Sequence, residues 1–237
     1  MQSLIEGTII LIDKPLHWSS FQAVNKLKWA IMKKYRLKKF KIGHAGTLDP
    51  LATGLLILCT GKHTKQIPQL QDASKIYTGT IALGATTPSY DLETEIDATF
   101  PTEHITPELI EQVREQFVGD LIQAPPLFSA IKKDGKRLYE LARKGETTEV
   151  PKRAITIYAL DLSLIGEKEL SFTVHCSKGT YIRSLAHDIG KALGSGAHLT
   201  SLRRTQIGEY AVAQAYTPED FVQELINHTH DETNTIH

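Results

Sequence analysis

The sequence predicts an α/β fold in which helices flank a mixed, largely antiparallel sheet. Short apolar segments with strand character alternate irregularly with longer segments whose apolar residues recur at helical spacing. Some strand candidates follow one another directly, as the two strands of a hairpin do. With 237 residues, of which 41% are hydrophobic, the chain can bury a sizeable core. We expect one domain over residues 1–228 and a polar tail over 229–237.

The N-terminal part of the chain contains three strand candidates and one clear helix. Residues 7–14 ("GTIILIDK"), 55–60 ("LLILCT") and 75–84 ("KIYTGTIALG") are short and apolar, as buried strands are. Residues 19–34 begin with two serines, which favour helix starts. They continue with apolar residues at helical spacing, namely Phe21, Val24, Leu27 and Ile31.

The C-terminal part continues the alternation. A helix over 106–119 has Thr106 as its cap, proline at its first position and glycine at its end. The segment 124–145 predicts a loop or hairpin around Asp134-Gly135 and then a short helix. The remaining predictions are strands over 153–166 and 169–177 and amphipathic helices over 180–194 and 217–228.

Composition excludes several classes of protein. Two widely separated cysteines, Cys59 and Cys176, give neither a disulfide framework nor a cysteine-based zinc site, and they fit a reducing compartment. The histidines show no metal-ligand spacing, so we predict no metal. The N-terminus lacks the basic region of a signal peptide, and no apolar stretch approaches a membrane span. We therefore expect a cytoplasmic protein that does not bind membranes.

Charge is unevenly distributed along the chain, although the formal net charge is zero. Residues 14–71 contain eleven lysines and arginines but one acidic residue, Asp49, which gives this window a net charge of +10. A single basic run such as "KKYRLKKFK" fits a solvated helix face. A whole window almost free of acids instead favours a polyanionic partner.

Asp49 is the lone carboxylate in the stretch "GHAGTLDPLATGLL". Aspartate followed by proline is a standard helix start, and an isolated Leu-Asp-Pro would favour that interpretation. Here Gly54 and the aliphatic run after it leave room for at most one helical turn before a strand. Small residues before Asp49 allow another backbone to approach closely. The sequence thus indicates a loop built for close contact that carries one carboxylate.

Arg183 occupies a position in its predicted helix that is unfavourable for a cation. If Thr180 caps its helix, Arg183 lies in the first turn, where a cation opposes the helix dipole at a cost of about 0.3–1 kcal/mol. The side chain flanks the apolar face of that helix, so its burial would require an anion, and Asp49 is the candidate. A surface arginine without a role is the alternative.

At this point the sequence resembles a known family, the tRNA pseudouridine-55 synthases of the TruB family. The stretch "GHAGTLDPLATGLL" is similar to the catalytic motif of that family, and "LIDKPLHWSSFQAV" to its N-terminal Lys-Pro motif. "KIYTGTIALGATTPSYD" resembles the segment with the active-site tyrosine, and "APPLFSAIKKDGKRLYELARKG" the thumb insertion, here about 124–145. "SKGTYIRSLAHDIG" matches the arginine motif and "LTSLRRTQIG" the final core motif. The likeness covers roughly residues 7–210.

The resemblance implies the pseudouridine synthase fold and the conversion of the T-loop uridine at tRNA position 55 to pseudouridine. It implies Asp49 as the catalytic carboxylate, acting as nucleophile or as base and electrostatic stabiliser, with Arg183 as its partner. Tyr77 would stack on the flipped base and assist removal of the proton from C5. The substrate-binding residues that the resemblance and the basic charge imply are His44, Tyr181, Leu202, Asp91, Lys14 and Lys132.

The reaction requires no cofactor, and we expect a monomer that binds the tRNA T-arm without a protein partner. The sequence departs from the family after Asp91, where the usual glycine is missing, and long bacterial members continue into a C-terminal PUA domain for which we expect no room. Two alternatives stay open. One is a tRNA-binding or tRNA-folding protein on the same fold without turnover, and the other is an N-glycosidase that uses Asp49 with Asp91.

Overall fold

The computed structural model describes residues 2–126, 128, 132–133, 136–137 and 150–227, which form two compact units: residues 2–75 with 203–227, and residues 76–202. The helices are α1 (Gln2–Glu6), α2 (Ser20–Lys34), α3 (Ile67–Asp72), α4 (Pro107–Gln116), α5 (Ile182–Ala192) and α6 (Pro218–Asn227), with 3₁₀ helices at Gly61–Gln66 and Val212–Gln214. The strands are β1 (Ile9–Lys14), β2 (Ile42–His44), β3 (Ala52–Thr60), β4 (Lys75–Leu83), β5 (Ala85–Thr86), β6 (Ala98–Thr99), β7 (Gly119–Gln123), β8 (Lys132–Lys133), β9 (Lys136–Arg137), β10 (Arg153–Leu164), β11 (Glu169–Cys176), β12 (Ala197–Ile207) and β13 (Tyr210–Ala211).

The first unit is built around β3. Strand β1 pairs antiparallel with it from Ile9↔Cys59 to Lys14↔Gly54, and β2 pairs with its C-terminal end. The last residues of β12 also lie beside β3, and β13 extends β12. Helices α2 and α6 pack their apolar residues on this sheet because Val24, Leu27 and Ile31 of α2 fall on one helical face.

The second unit contains a sheet with the strand order β12-β4-β11-β10-β7. Strands β10 and β11 pair antiparallel, as do β10 and β7. Helices α4 and α5 cover a core whose largest fully buried side chains include Ile81 and Ile157. In this unit α5 carries Arg183, and β4 carries Tyr77.

The predicted fold class is confirmed, since the strand pairs are largely antiparallel while Ile12 and Tyr216 form a parallel bridge. Strand β12 was not predicted, because Arg203 and Arg204 interrupt its apolar pattern. The helix prediction over 180–194 was wrong at its start: α5 begins at Ile182 with Tyr181 as N-cap, because the Thr180 hydroxyl donates to the Ser177 carbonyl instead of capping.

Strands β8 and β9 pair as Lys132↔Arg137 and Lys133↔Lys136, which fits the predicted hairpin. The helix predicted after it lies outside the described residues. Within the part of the chain that the structure describes, no helix has the length and apolar character needed to cross a membrane.

Gly54 allows β3 and β12 to approach closely. Its φ is 102°, and a Cβ atom there would lie 2.2 Å from the carbonyl oxygen of Arg204. Gly54→Ala is expected to destabilise the protein by about 2–3 kcal/mol, because the backbone of β12 must move in addition to the strain of a left-handed residue.

Gly119→Ala provides the matched control for this substitution. Gly119 has nearly the same φ, 105°, but among the described residues no atom lies within 4 Å of the added methyl group. Urea unfolding of both variants separates the clash from the backbone strain. Equal unfolding midpoints would contradict the close approach at Gly54.

Candidate active site

The loop between β2 and β3 presents Asp49 in the first unit. The Asp49 carbonyl accepts a 3.1 Å hydrogen bond from Ala52 N, where β3 begins, so a tight turn and not a helix follows Pro50. The Pro50 carbonyl accepts from His17 N at 2.8 Å. The Asp49 side chain is half-buried. The predicted short turn before a strand is confirmed.

Ser20, at the start of α2, fixes this loop from one side. Its hydroxyl accepts a 2.8 Å hydrogen bond from Leu48 N and donates to Leu48 O at 3.1 Å. Both backbone groups of the residue before Asp49 are thus satisfied by one buried side chain. Because Ser20 belongs to a helix of fifteen residues, the loop is anchored to a rigid element.

Arg204 of β12 fixes the loop from within the sheet. Its side chain is fully buried, and its Nε donates to Leu55 O at 2.8 Å, while Nη2 donates to Gly46 O at 3.1 Å. Nη1 lies 3.5 Å from Thr47 O. The planar guanidinium therefore binds carbonyl groups on both sides of Asp49. We did not predict this residue; two adjacent arginines in a short segment between apolar residues were the available signal.

Lys14 is also fully buried, and its Nζ donates to the carbonyls of Pro15 (2.9 Å) and Trp18 (2.6 Å). Burial lowers the pKa of Lys14 to about 8, the negative charge of Asp49 opposes that change, and Arg204 adds to it. This enclosed position favours an electrostatic influence on Asp49 over the predicted direct binding of an RNA phosphate.

His44 ends strand β2 and is half-buried. Burial lowers the pKa of His44, a hydrogen bond with the Gly46 backbone opposes this, and the charge of Arg204 adds to it. A lowered pKa favours the neutral form of the ring.

Arg183 is buried in the second unit, with 5% of its surface exposed. Its Nη1 donates to Phe128 O at 2.9 Å and Ser89 O at 3.3 Å, and its Nε lies 3.7 Å from Asp91 Oδ2. The structure thus brings together two predicted site residues, Arg183 and Asp91. Asp49 belongs to the first unit, so the Asp49–Arg183 pair stays a prediction.

The loop 87–91 holds Asp91 in a defined orientation. The Asp91 carbonyl accepts from the hydroxyls of Thr87 (2.7 Å) and Ser89 (3.3 Å), and its carboxylate accepts from Glu93 N at 2.9 Å. Tyr90 has φ 64° and stacks on His187 of α5 at 3.9 Å between ring centroids. Helix α5 therefore contacts this loop through both Arg183 and His187.

Four further predicted residues lie in the second unit. Tyr77 and Leu202 are half-buried and pack against its hydrophobic core. Tyr181 is oriented by Gln123, whose side chain accepts from Tyr181 N at 2.8 Å and donates to Tyr181 O at 3.0 Å. The guanidinium of Arg153 lies 5.2 Å from the centroid of the Tyr181 ring. Lys132 lies on β8, within the predicted thumb.

Two family models match the chain. The model of the TruB family pseudouridylate synthase N-terminal domain matches residues 33–182, and that of the tRNA pseudouridylate synthase B C-terminal domain matches residues 183–236. The tRNA pseudouridine synthase B of Flavobacterium johnsoniae is 63% identical over 215 residues, which cover 90% of this chain and 94% of the relative. That of Phocaeicola vulgatus is 52% identical over 230 residues, 94% of this chain and 98% of the relative.

A solved structure of a Cbf5–Nop10–Gar1 complex contains a similar chain, with a TM-score of 0.73 and 30% identity. The match covers 98% of the present chain, which spans about 58% of the length of that one. A chain in an H/ACA RNP bound to a substrate RNA containing 2′-deoxyuridine matches with a TM-score of 0.69 and 28% identity. From the matched family models and the close curated relatives, this chain belongs to the TruB family of pseudouridylate synthases.

Proposed function

We propose that this chain converts the T-loop uridine at tRNA position 55 to pseudouridine. The observation that carries the proposal is the presentation of Asp49, by Ser20 and Arg204, on the one loop whose sequence matches the catalytic motif. The close relatives named as tRNA pseudouridine synthases support it. Action as a monomer on the T-arm, in the cytoplasm, is part of the same proposal.

The chemistry is an isomerisation and balances without any other reactant. The N1–C1′ bond breaks, the base turns and C5 bonds to C1′; the proton on C5 is then removed and N1 takes up a proton, so the composition of the nucleotide is unchanged. Asp49 supplies the negative charge at the sugar, as the nucleophile at C1′ or as the stabiliser of positive charge there. Arg183 orients that carboxylate, and Tyr77 stacks on the base and assists the loss of the C5 proton.

The target uridine must leave the base stack of the T-loop and enter a pocket of the protein. Unstacking costs a few kcal/mol, which contacts to the extruded base and to the RNA left behind must offset. In the proposal Tyr181 and Leu202 line the pocket, Asp91 lies near the base, and neutral His44 fills the gap in the T-loop. Lys14 acts on Asp49 through its charge, and Lys132 on the thumb contacts the T-arm.

The proposal is tested by incubating the protein with an unmodified tRNA transcript and mapping pseudouridine with carbodiimide. We expect one new reverse-transcription stop, one nucleotide 3′ of position 55, and none in a transcript with cytidine at position 55. Binding without conversion would instead establish the tRNA-folding alternative, and release of free uracil would establish an N-glycosidase. Either result would overturn the proposal.

Binding of tRNA is expected to weaken steeply with salt. Of the eleven cations in residues 14–71, Lys14 is buried, Lys26 pairs with Glu219 and Lys34 donates to Leu225 O. This leaves eight cations that can contact phosphates. Each contact adds about −0.7 to −0.9 to the slope of the logarithm of the binding constant against the logarithm of the salt concentration. A salt titration of the inactive Asp49→Asn protein measures the slope, and a flat response would contradict this electrostatic argument.

A further inference from the structure

Helix α2 exposes two large aromatic side chains on its outer side. Phe21 is 69% exposed and Trp29 is 71% exposed, although the same helix buries Val24, Leu27 and Ile31 completely or nearly so. The inner face thus already supplies the packing that the helix needs. The outer aromatics contribute little to this core, so their side chains are available for contact with a partner.

Trp29 borders an open groove of about 450 Å³ at the C-terminal end of α2. Its other lining residues are Ala30, Met32, Lys33 and Leu37. The groove forms because the chain reverses after Tyr35: Arg36 N bonds to Lys33 O at 3.4 Å and Leu37 N to Met32 O at 2.9 Å. This is a Schellman ending, and the Met32–Leu37 pairing is its usual apolar contact.

Arg36 breaks the usual rule for this helix ending. It has φ 52°, a left-handed conformation that glycine adopts without strain and that costs another residue about 1–2 kcal/mol. The exception places an exposed cation beside the groove. Further exposed cations lie close in sequence, namely Lys33, Lys38, Lys39 and Lys41. An aromatic groove surrounded by cations has the composition of a surface that binds single-stranded nucleic acid.

We propose that the α2 groove is a second RNA-binding surface, on which Trp29 stacks with an unpaired tRNA base other than the target uridine, while Lys33, Arg36 and Lys38 contact the neighbouring phosphates. The proposal rests on the proposed function for the identity of the RNA. It adds a binding site that does not take part in the chemistry.

The position of the groove along α2 fits this role. Ser20, at the start of the helix, holds the Asp49 loop through Leu48. Trp29 lies nine residues further along, about 14 Å along the helix axis at 1.5 Å per residue. Nine residues are two and a half turns, so the Trp29 side chain leaves α2 on the side opposite Ser20. An RNA held at Asp49 would therefore have to pass round the helix, whose diameter is about 10 Å, as well as along it, which is a path of several nucleotides. Phe21 is exposed near the start of the same helix.

An RNA fits this surface better than an acidic peptide does. A flat indole at 71% exposure offers an open face for a planar base, and stacking tolerates any base because every base has a π-face. Lys33 lines the groove, and Arg36, Lys38 and Lys39 follow it closely in sequence as exposed residues, a spread of cations that suits contacts to a continuous phosphate backbone.

The test uses the full chain and an unmodified tRNA transcript. Trp29→Ala should weaken tRNA binding about tenfold and raise KM while leaving kcat unchanged, and Trp29→Phe, which keeps a stacking ring, should restore most of the affinity. Ile165→Ala removes another exposed apolar side chain and serves as the matched control. Tryptophan fluorescence should be quenched by tRNA in the wild type and far less in Trp29→Phe, which retains only Trp18.

Arg36→Gly distinguishes a contact of Arg36 with RNA from a purely structural role of this residue. Glycine relieves the left-handed strain, so the unfolding midpoint should stay equal or rise, while tRNA affinity falls and the salt slope becomes shallower by about 0.7–0.9. The inference would be overturned if Trp29→Ala bound tRNA with unchanged affinity and tRNA did not quench the fluorescence of the wild type. Quenching by polyglutamate but not by tRNA would do the same and would assign the groove to an acidic protein.

The fluorescence and binding measurements require no turnover, so they separate this inference from the proposed function. If the wild type makes pseudouridine and the Trp29 and Arg36 variants bind as it does, only the second surface is wrong. If the wild type makes no pseudouridine but tRNA still quenches the fluorescence of Trp29, only the proposed reaction is wrong.

Discussion

Replacing Asp49 by asparagine is expected to reduce pseudouridine formation by about 10⁴-fold or more, while tRNA binding stays within a few-fold of the wild type. The amide has the shape of the carboxylate but can neither attack C1′ nor balance positive charge at the sugar. Release of tritium from uridine labelled at C5 measures turnover, because the C5 hydrogen leaves when C5 bonds to the sugar. A near-normal rate would remove Asp49 from the mechanism.

The matched control is Asp72→Asn, the same change at an exposed aspartate of the same unit, which should leave the rate unchanged. A second readout concerns Lys14. Because the charge of Asp49 raises the pKa of Lys14 against the effect of burial, Asp49→Asn should lower the pKa of Lys14 below its value of about 8. NMR titration of the Lys14 side chain can detect this, and an unchanged pKa would show that the two groups do not interact.

Arg183→Lys is expected to lower kcat by about 10²-fold with a much smaller change in KM. The guanidinium donates to Ser89 O and Phe128 O from one nitrogen and places another 3.7 Å from Asp91. A lysine has one terminal nitrogen and no planar fork, so it keeps the charge but cannot make this set of contacts or orient a carboxylate. Single-turnover measurements isolate the chemical step.

Arg114→Lys is the control for Arg183→Lys, since Arg114 pairs with exposed Glu111 one helical turn away, a pair of small energetic value. Its rate should equal that of the wild type. Equal unfolding midpoints for the two variants would show that the loss at Arg183 is not a loss of folding. Wild-type kinetics in Arg183→Lys would contradict the role of this residue as the partner of Asp49.

The sequence predicted the elements whose local pattern was unambiguous. Helix α2 combines serine caps with apolar residues at helical spacing, and the structure has it at Ser20–Lys34. Strand β12 was missed because its pattern is broken by Arg203 and Arg204, which contact Asp13, Leu55 and Gly46 far away in sequence. Long-range partners of this kind leave no periodic signal in the segment itself.

The site residues, like the secondary structure, were predictable only where the local sequence pattern was distinctive. A lone carboxylate among glycines and cations identified the Asp49 loop, and an arginine in the first turn of a helix identified Arg183, which is indeed buried. What holds them could not be predicted. Ser20 looked only like part of a helix start and no pattern distinguished Gln123, yet each binds both backbone groups of a distant residue.

The binding of Arg204 to the carbonyls on both sides of Asp49 has a consequence for synthesis on the ribosome. The contacts join residues 149–158 positions apart, and the unit that contains them is closed only when β12 and α6 have been made. At 5–20 residues per second, about 8–30 s separate the synthesis of the loop from that of Arg204. For most of its synthesis the nascent chain therefore carries the Asp49 loop without the Arg204 contacts, and these contacts form only after β12 has been added.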